Sequence, residues 1–260
     1  MLKRTLKRMF PLTLALMLVL ALAAPALAAG VADSTYYNTG ILTTTESRGT
    51  TGLVKGDVVV MYPTNNKFYT GETAKQLVIS GEVDIVCIAG VGSSSNGVAA
   101  FAKHIATIKN QPVAGIVSGY GDASIYAEGT QGYFIGRTSN AARTCYVEPA
   151  SRTLIDLYEA GARPSLLVGH SKGNMDMANA LFRLYYDGNA EWYANTTFKT
   201  FGCGVNVPDG LGGFHQYIGM LDTLGYTNTV SWANMTYVPG RYHTTNPFYA
   251  LTYMPIQNYL

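Results

Sequence analysis

The feature that most constrains the fold is a series of short apolar segments separated by segments with helical spacing. "VDIVCIAG" (83–90) and "PVAGIVSGYG" (112–121) are continuous apolar runs that close on glycine. A strand without polar alternation is buried on both faces, as in a parallel sheet covered by helices. "SLLVG" (165–169) and "TFKTFGCGV" (197–205) predict further strands, and "DVVVMYP" (57–63) predicts one at an edge, stopped by Pro63. Between them, "GVAAFAKHIATIK" (97–109) sets Val98, Phe101, Ala102, Ile105 and Ile108 at helical spacing. "VEPASRTLIDLYEAGA" (147–162) groups Leu154, Leu157 and Tyr158, with Gly161 as a C-terminal stop. "NMDMANALFRLYY" (174–186) groups Ala178, Leu181, Phe182 and Tyr185. "GFHQYIGMLDTLG" (213–225) reads as a helix and "NTVSWANM" (228–235) as the last strand. Residues 31–54 read as an irregular N-terminal arm, and 121–143, rich in glycine and aromatics, as a flap. Alternating strands and helices imply an α/β fold: a mostly parallel sheet with helices on both faces and right-handed crossovers.

The chain has 260 residues, 48% of them hydrophobic and 13% charged, which suits one substantial core and excludes a disordered polymer. A net charge of +2 without a basic stripe argues against a nucleic-acid partner. Lys3, Arg4, Lys7 and Arg8 precede an apolar stretch that ends in Ala26-Leu27-Ala28. That is the pattern of a secretory signal peptide, so residues 1–29 are expected to be a leader and 30–260 a single domain, secreted or periplasmic. Export permits a disulfide, but Cys87 and Cys203 end apolar runs where buried free thiols are common. No cysteine or histidine spacing resembles a zinc site.

"LLVGHSKGNMDMANAL" (166–181) carries the chemistry. A G-x-S-x-G match means little by itself. Here it follows a strand and opens directly into a helix, which is the context a nucleophile elbow needs. Gly169 and Gly173 let strand and helix approach a tight turn. The turn would lift the Ser171 hydroxyl to the C-terminal edge of the sheet. The helix N-terminus behind it would offer the backbone N–H of Lys172 to a developing oxyanion.

At these residues the chain resembles the α/β-hydrolase superfamily, specifically its lipase- and esterase-like serine hydrolases, over roughly 83–243. The resemblance implies a second oxyanion donor in "IAGVGSSSNG" (88–97), at the N–H of Val91, with Gly92 next. It also implies a base that comes last in the chain on a loop. His243 in "YVPGRYHTTNP" fits that order better than His104, His170 or His215. The acid stays open. Asp209 in "VNVPDGLGG" is favoured as a loop carboxylate after a strand. Asp222 reads as a solvated face of a helix, and the place by Asn234 that matches fungal-type lipases carries an amide. The Lys172 side chain is either exposed to solvent or biased toward anionic substrates.

The resemblance implies an acyl-enzyme mechanism on carboxylic esters with no cofactor or metal. The expected partners are a small-molecule or lipid ester and, transiently, a lipid surface. Tyr120, Tyr126, Tyr133 and Phe134 in the flap suit an acyl pocket or such a surface. The same apparatus would serve a polyester depolymerase, a thioesterase, a peptidase or an acyltransferase. A fold kept as a non-catalytic binding module is the contrasting possibility, favoured only by the missing carboxylate near Asn234.

Overall fold

A computed structural model describes residues 35–119 and 134–260. The expected leader, and Tyr120, Tyr126 and Tyr133 of the expected flap, lie outside the described residues. The remainder of the flap segment contains a helix, α4, Phe134–Ala141, in the numbering given below.

Eight strands form one sheet in the order β2-β1-β4-β3-β5-β6-β7-β8. They are β1 Val58–Met61, β2 Phe68–Thr70, β3 Ile85–Ile88, β4 Val113–Ile116, β5 Leu166–His170, β6 Thr197–Phe201, β7 Gly213–Gly219 and β8 Met235–Val238. β1 runs antiparallel to both of its neighbours, and β4, β3, β5, β6, β7 and β8 are parallel. β1 is therefore internal, and the short β2 takes the edge. The helices are α1 Thr44–Thr50, α2 Gly71–Ile79, α3 Ser95–Lys109, α4, α5 Pro149–Glu159, α6 Lys172–Tyr186 and α7 Thr223–Asn228.

The central strands bury every residue. Ile85–Ile88, Val113–Ile116 and Leu166–His170 are closed on both faces, as their unbroken apolar runs require. One face packs Val86, Ile88, Ala114 and Leu167 against Ala74 and Val78 of α2, Leu154 and Tyr158 of α5, and Met177 and Leu181 of α6. The other packs Cys87, Val113 and Val168 against Val98, Phe101 and Ile105 of α3, Tyr37 of the arm, and Met254 and Ile256 of the tail. Helices thus cover both faces, as expected. All three cysteines are free, with Cys87 and Cys203 buried.

Three expectations are corrected. Residues 213–219 are strand β7, and only Thr223–Asn228 is helical. β7 lies between β6 and β8, so backbone pairing on both sides overrides the helix-like spacing of its apolar residues. The last strand begins at Met235, beyond most of the 228–235 segment, where Trp232 stays exposed. The N-terminal arm is not wholly irregular, since α1 carries a capping box made by Thr43 and Glu46.

Because β3 and β5 to β8 are parallel, the loops after them leave the same edge of the sheet. Gly90, Ser171, Gly202, Asp222 and His243 all lie just beyond those C-terminal ends. Among the described residues no helix is long and apolar enough to cross a membrane.

Candidate active site

Ser171 alone makes the turn from β5 into α6, with φ 55 and ψ −122. A residue with a side chain in that conformation carries strain on the order of 1–3 kcal/mol and needs its surroundings to hold it. Three groups do so. Ser171 N–H donates to the Phe201 carbonyl at 2.9 Å, and the Ser171 carbonyl accepts from Asn174 N–H at 3.0 Å. The same carbonyl accepts from the buried Cys203 thiol at 3.2 Å. Burial pushes that thiol up to about 12, so it stays protonated and can donate.

The two flanking glycines have steric causes. A Cβ at Gly169 would lie 2.3 Å from Asn174 Oδ1, and one at Gly173 would lie 2.2 Å from the Ile88 carbonyl oxygen. The helix can begin this close to two strands only without those side chains.

His243 sits on the loop after β8, buried at 8% exposure. Its Nδ1 contacts both Asp222 oxygens, Oδ1 at 2.9 Å and Oδ2 at 2.8 Å. A carboxylate oxygen accepts, so Nδ1 is the ring nitrogen that donates, and in the neutral imidazole the lone pair is then on Nε2. Nε2 is buried and has no hydrogen-bond partner among the described residues. Asp222 is held in turn as the N-cap of α7, its Oδ1 accepting from Gly225 N–H at 2.6 Å. Tyr36 packs edge-on to the His243 ring at 5.7 Å. Burial and then the Asp222 charge raise its phenol, so that ring stays neutral.

His170, next to Ser171, has both ring nitrogens engaged. Its Nδ1 bonds the Tyr37 hydroxyl at 2.7 Å and its Nε2 bonds the His243 carbonyl at 2.8 Å. Burial first, and the neighbouring His243 ring second, push it down to about 3.

The structure therefore gathers Ser171 and His243 at one sheet edge but pairs His243 with a different carboxylate from the favoured one. Asp209 is exposed on the turn before β7, and its carbonyl accepts from the Tyr193 hydroxyl at 3.0 Å. Tyr193 precedes β6 and Asp209 precedes β7, so both lie at the N-terminal edge, across the sheet from His243. Asp222, expected to be a solvated helix residue, is 1% exposed and directly follows β7. Residues 213–219 pair on both sides as strand β7, which sets Asp222 beyond a strand end and not on a helix face. Asn234 is exposed, its carbonyl taken by Gln216 N–H at 3.1 Å, and His215 is an exposed residue of β7.

Lys172 is also corrected. Its side chain is 1% exposed, paired with Glu148 and with Asp176 at 2.8 Å. The first residue of α6 turns back along its own helix onto the N-cap of α5, out of reach of solvent. Its backbone N–H still opens α6 directly behind Ser171. On the other side, a Cβ at Gly90 would lie 2.9 Å from Ser171 Cβ, so the chain before Val91 runs against Ser171. Gly92 follows with φ 72, and Ser93 Oγ closes the turn by donating to the Gly90 carbonyl at 2.7 Å.

The sheet order, the helices on both faces and a strained serine between a buried parallel strand and its helix define an α/β fold with a mostly parallel sheet and a sharp strand-to-helix turn at Ser171. No family model matches the chain, and no curated protein matches it. Among solved structures it is similar to a dienelactone hydrolase-like promiscuous phosphotriesterase from metagenomic libraries, at 15% identity, over 67% of this chain and 80% of that one, with a TM-score of 0.37.

Proposed function

We propose that the protein is a secreted serine hydrolase of the lipase and esterase type, cleaving carboxylic esters through Ser171, His243 and Asp222. The observation that carries this reading is the Asp222–His243 pair, with its unpartnered Nε2, at the same sheet edge as a strained Ser171.

Ser171 Oγ attacks the ester carbonyl carbon while His243 Nε2 takes its proton. Asp222 holds the imidazole in the Nδ1–H tautomer and stabilises the imidazolium. The N–H groups of Val91 and Lys172 receive the oxyanion. As the intermediate collapses the C–O bond to the alcohol breaks, and the alkoxide leaves with the proton from Nε2. Water then attacks the acyl-enzyme, Nε2 takes one of its protons, and Ser171 departs with that proton to release the acid.

The apolar surroundings favour an ester with an apolar part, and transient contact with a lipid surface. Met220, Leu221 and Leu224 flank Asp222 and are exposed, as are Phe248 and Leu251 beyond His243. The Asp222 carboxylate facing His243 supports the catalytic reading over a non-catalytic binding module. Secretion rests on the leader pattern of residues 1–29.

The test is hydrolysis of a p-nitrophenyl ester series by the purified mature protein. Turnover that depends on chain length and vanishes in Ser171→Ala supports the reading. Turnover that survives in Ser171→Ala removes it.

A further inference from the structure

The N-terminal arm enters the candidate site at Tyr37, a buried side chain that the acyl-transfer steps do not use. Two hydrogen bonds meet at its hydroxyl and a third continues the chain from His170. Gly90 N–H donates to Tyr37 Oη at 2.6 Å, Tyr37 Oη meets His170 Nδ1 at 2.7 Å, and His170 Nε2 meets the His243 carbonyl at 2.8 Å.

Elementary chemistry fixes every direction. The His243 carbonyl can only accept, so His170 Nε2 carries a proton. His170 is fully enclosed and held neutral, so Nδ1 has a lone pair. Tyr37 must then donate to it, which leaves the phenol oxygen to accept from Gly90. The chain thus ties three loops together: the turn before Val91, the elbow at Ser171 and the backbone of the base.

The arm is fastened at the same place. Thr245 N–H and Oγ1 donate to the Tyr36 carbonyl at 3.2 and 2.8 Å, Thr244 Oγ1 donates to the Thr35 carbonyl, and Asn246 Nδ2 donates to the Tyr37 carbonyl at 3.3 Å. These residues directly follow His243. The His170 ring lies between those of Tyr37 at 5.5 Å and His243 at 4.9 Å.

We infer that Tyr37 and His170 are positioning residues: their hydrogen-bonded chain from Gly90 to the His243 carbonyl sets the base and the oxyanion loop in register with Ser171. This rests on the proposed serine-hydrolase reading. Tyr37 is bonded to the backbone of Gly90 and His170 to the backbone of His243, and misplacement by about 1 Å can cost as much as a hundredfold in rate.

The test compares Tyr37→Phe, His170→Phe, the double variant and the wild type, with ester kinetics and the rate of fluorophosphonate labelling of Ser171. Tyr37→Phe is expected to lower kcat and the labelling rate together, by roughly tenfold to a hundredfold, with KM held. The pH–rate profile should keep its inflection and lose height. The double variant should be no worse than His170→Phe, because one break opens the whole chain. His170→Gln, which can still donate to the His243 carbonyl, should recover part of the loss. Wild-type kcat and labelling in folded Tyr37→Phe would overturn the inference while leaving the serine-hydrolase reading intact. A shifted inflection at unchanged height would overturn it too, since it marks an electrostatic role. Absence of labelling in the wild type would instead remove the reading beneath it. Should Tyr37→Phe not fold, Thr245→Val loosens the arm more gently and must still lower kcat at constant KM. Unchanged kcat there overturns the inference.

Discussion

Asp222 takes the Nδ1–H of His243 on both carboxylate oxygens, across 21 positions of sequence and from the loop of a different strand. The pair leaves Nε2 as the one ring nitrogen able to accept a proton. Asp222→Asn should therefore present an amide that tolerates the wrong tautomer, lowering kcat by on the order of 10³ to 10⁴. Asp209→Asn should leave kcat within about twofold, as expected for an exposed turn residue. Steady-state kinetics on the two variants separate the acids, and the reverse ranking would restore Asp209.

The elbow should reject even one methyl group. Gly173→Ala sets a Cβ 2.2 Å from the Ile88 carbonyl, a backbone atom that cannot swing aside. The expected cost is about 1–3 kcal/mol or more, read as a lower thermal midpoint together with lost activity. Gly188→Ala meets no atom within 4 Å and, although its φ of 81 adds backbone strain, should keep full activity.

Lys172 should matter for stability rather than for substrate charge. Its ammonium sits between Glu148 and Asp176 away from water. Lys172→Met strands buried carboxylates and should destabilise by about 3–5 kcal/mol in denaturant titration. The ratio of kcat/KM for anionic over neutral esters should not change, because the backbone N–H stays in place.

Acid should weaken the fold well above the usual carboxylate range. Burial holds His104 down to about 4, and His170 lies lower still. Below about pH 6.5 the unfolded chain binds protons that the folded chain excludes, so stability is full above that point and falls as the pH drops toward about 4. His104 lies on α3, away from Ser171, so His104→Gln should flatten the fall without altering the activity profile. Thermal midpoints across this window measure the slope. An unchanged slope in the variant would mean His104 is solvated when folded.

The elbow was legible because its evidence is local: a strand, two glycines around a serine and a helix within one short stretch. Chain order singles out His243 in the sequence. Its carboxylate partner is not legible there, because 213–225 carries apolar residues at spacings that suit a helix, while its pairing with β6 and β8 is decided by distant segments. Lys172 misled for a related reason, since its two carboxylate partners lie on its own helix and on the N-cap of the preceding one. Tyr37 gave no signal at all. It bonds His170 across 133 positions, and nothing in its neighbourhood marks it apart from other tyrosines.

The central claim is that Ser171 is activated by His243 and Asp222. The most direct measurement is mass-spectrometric mapping of the folded protein after reaction with a fluorophosphonate. The account predicts one adduct on the peptide that contains Ser171, none in Ser171→Ala, and labelling slowed by orders of magnitude in Asp222→Asn. No adduct on the folded wild-type protein, or an adduct that persists in Ser171→Ala, would contradict it.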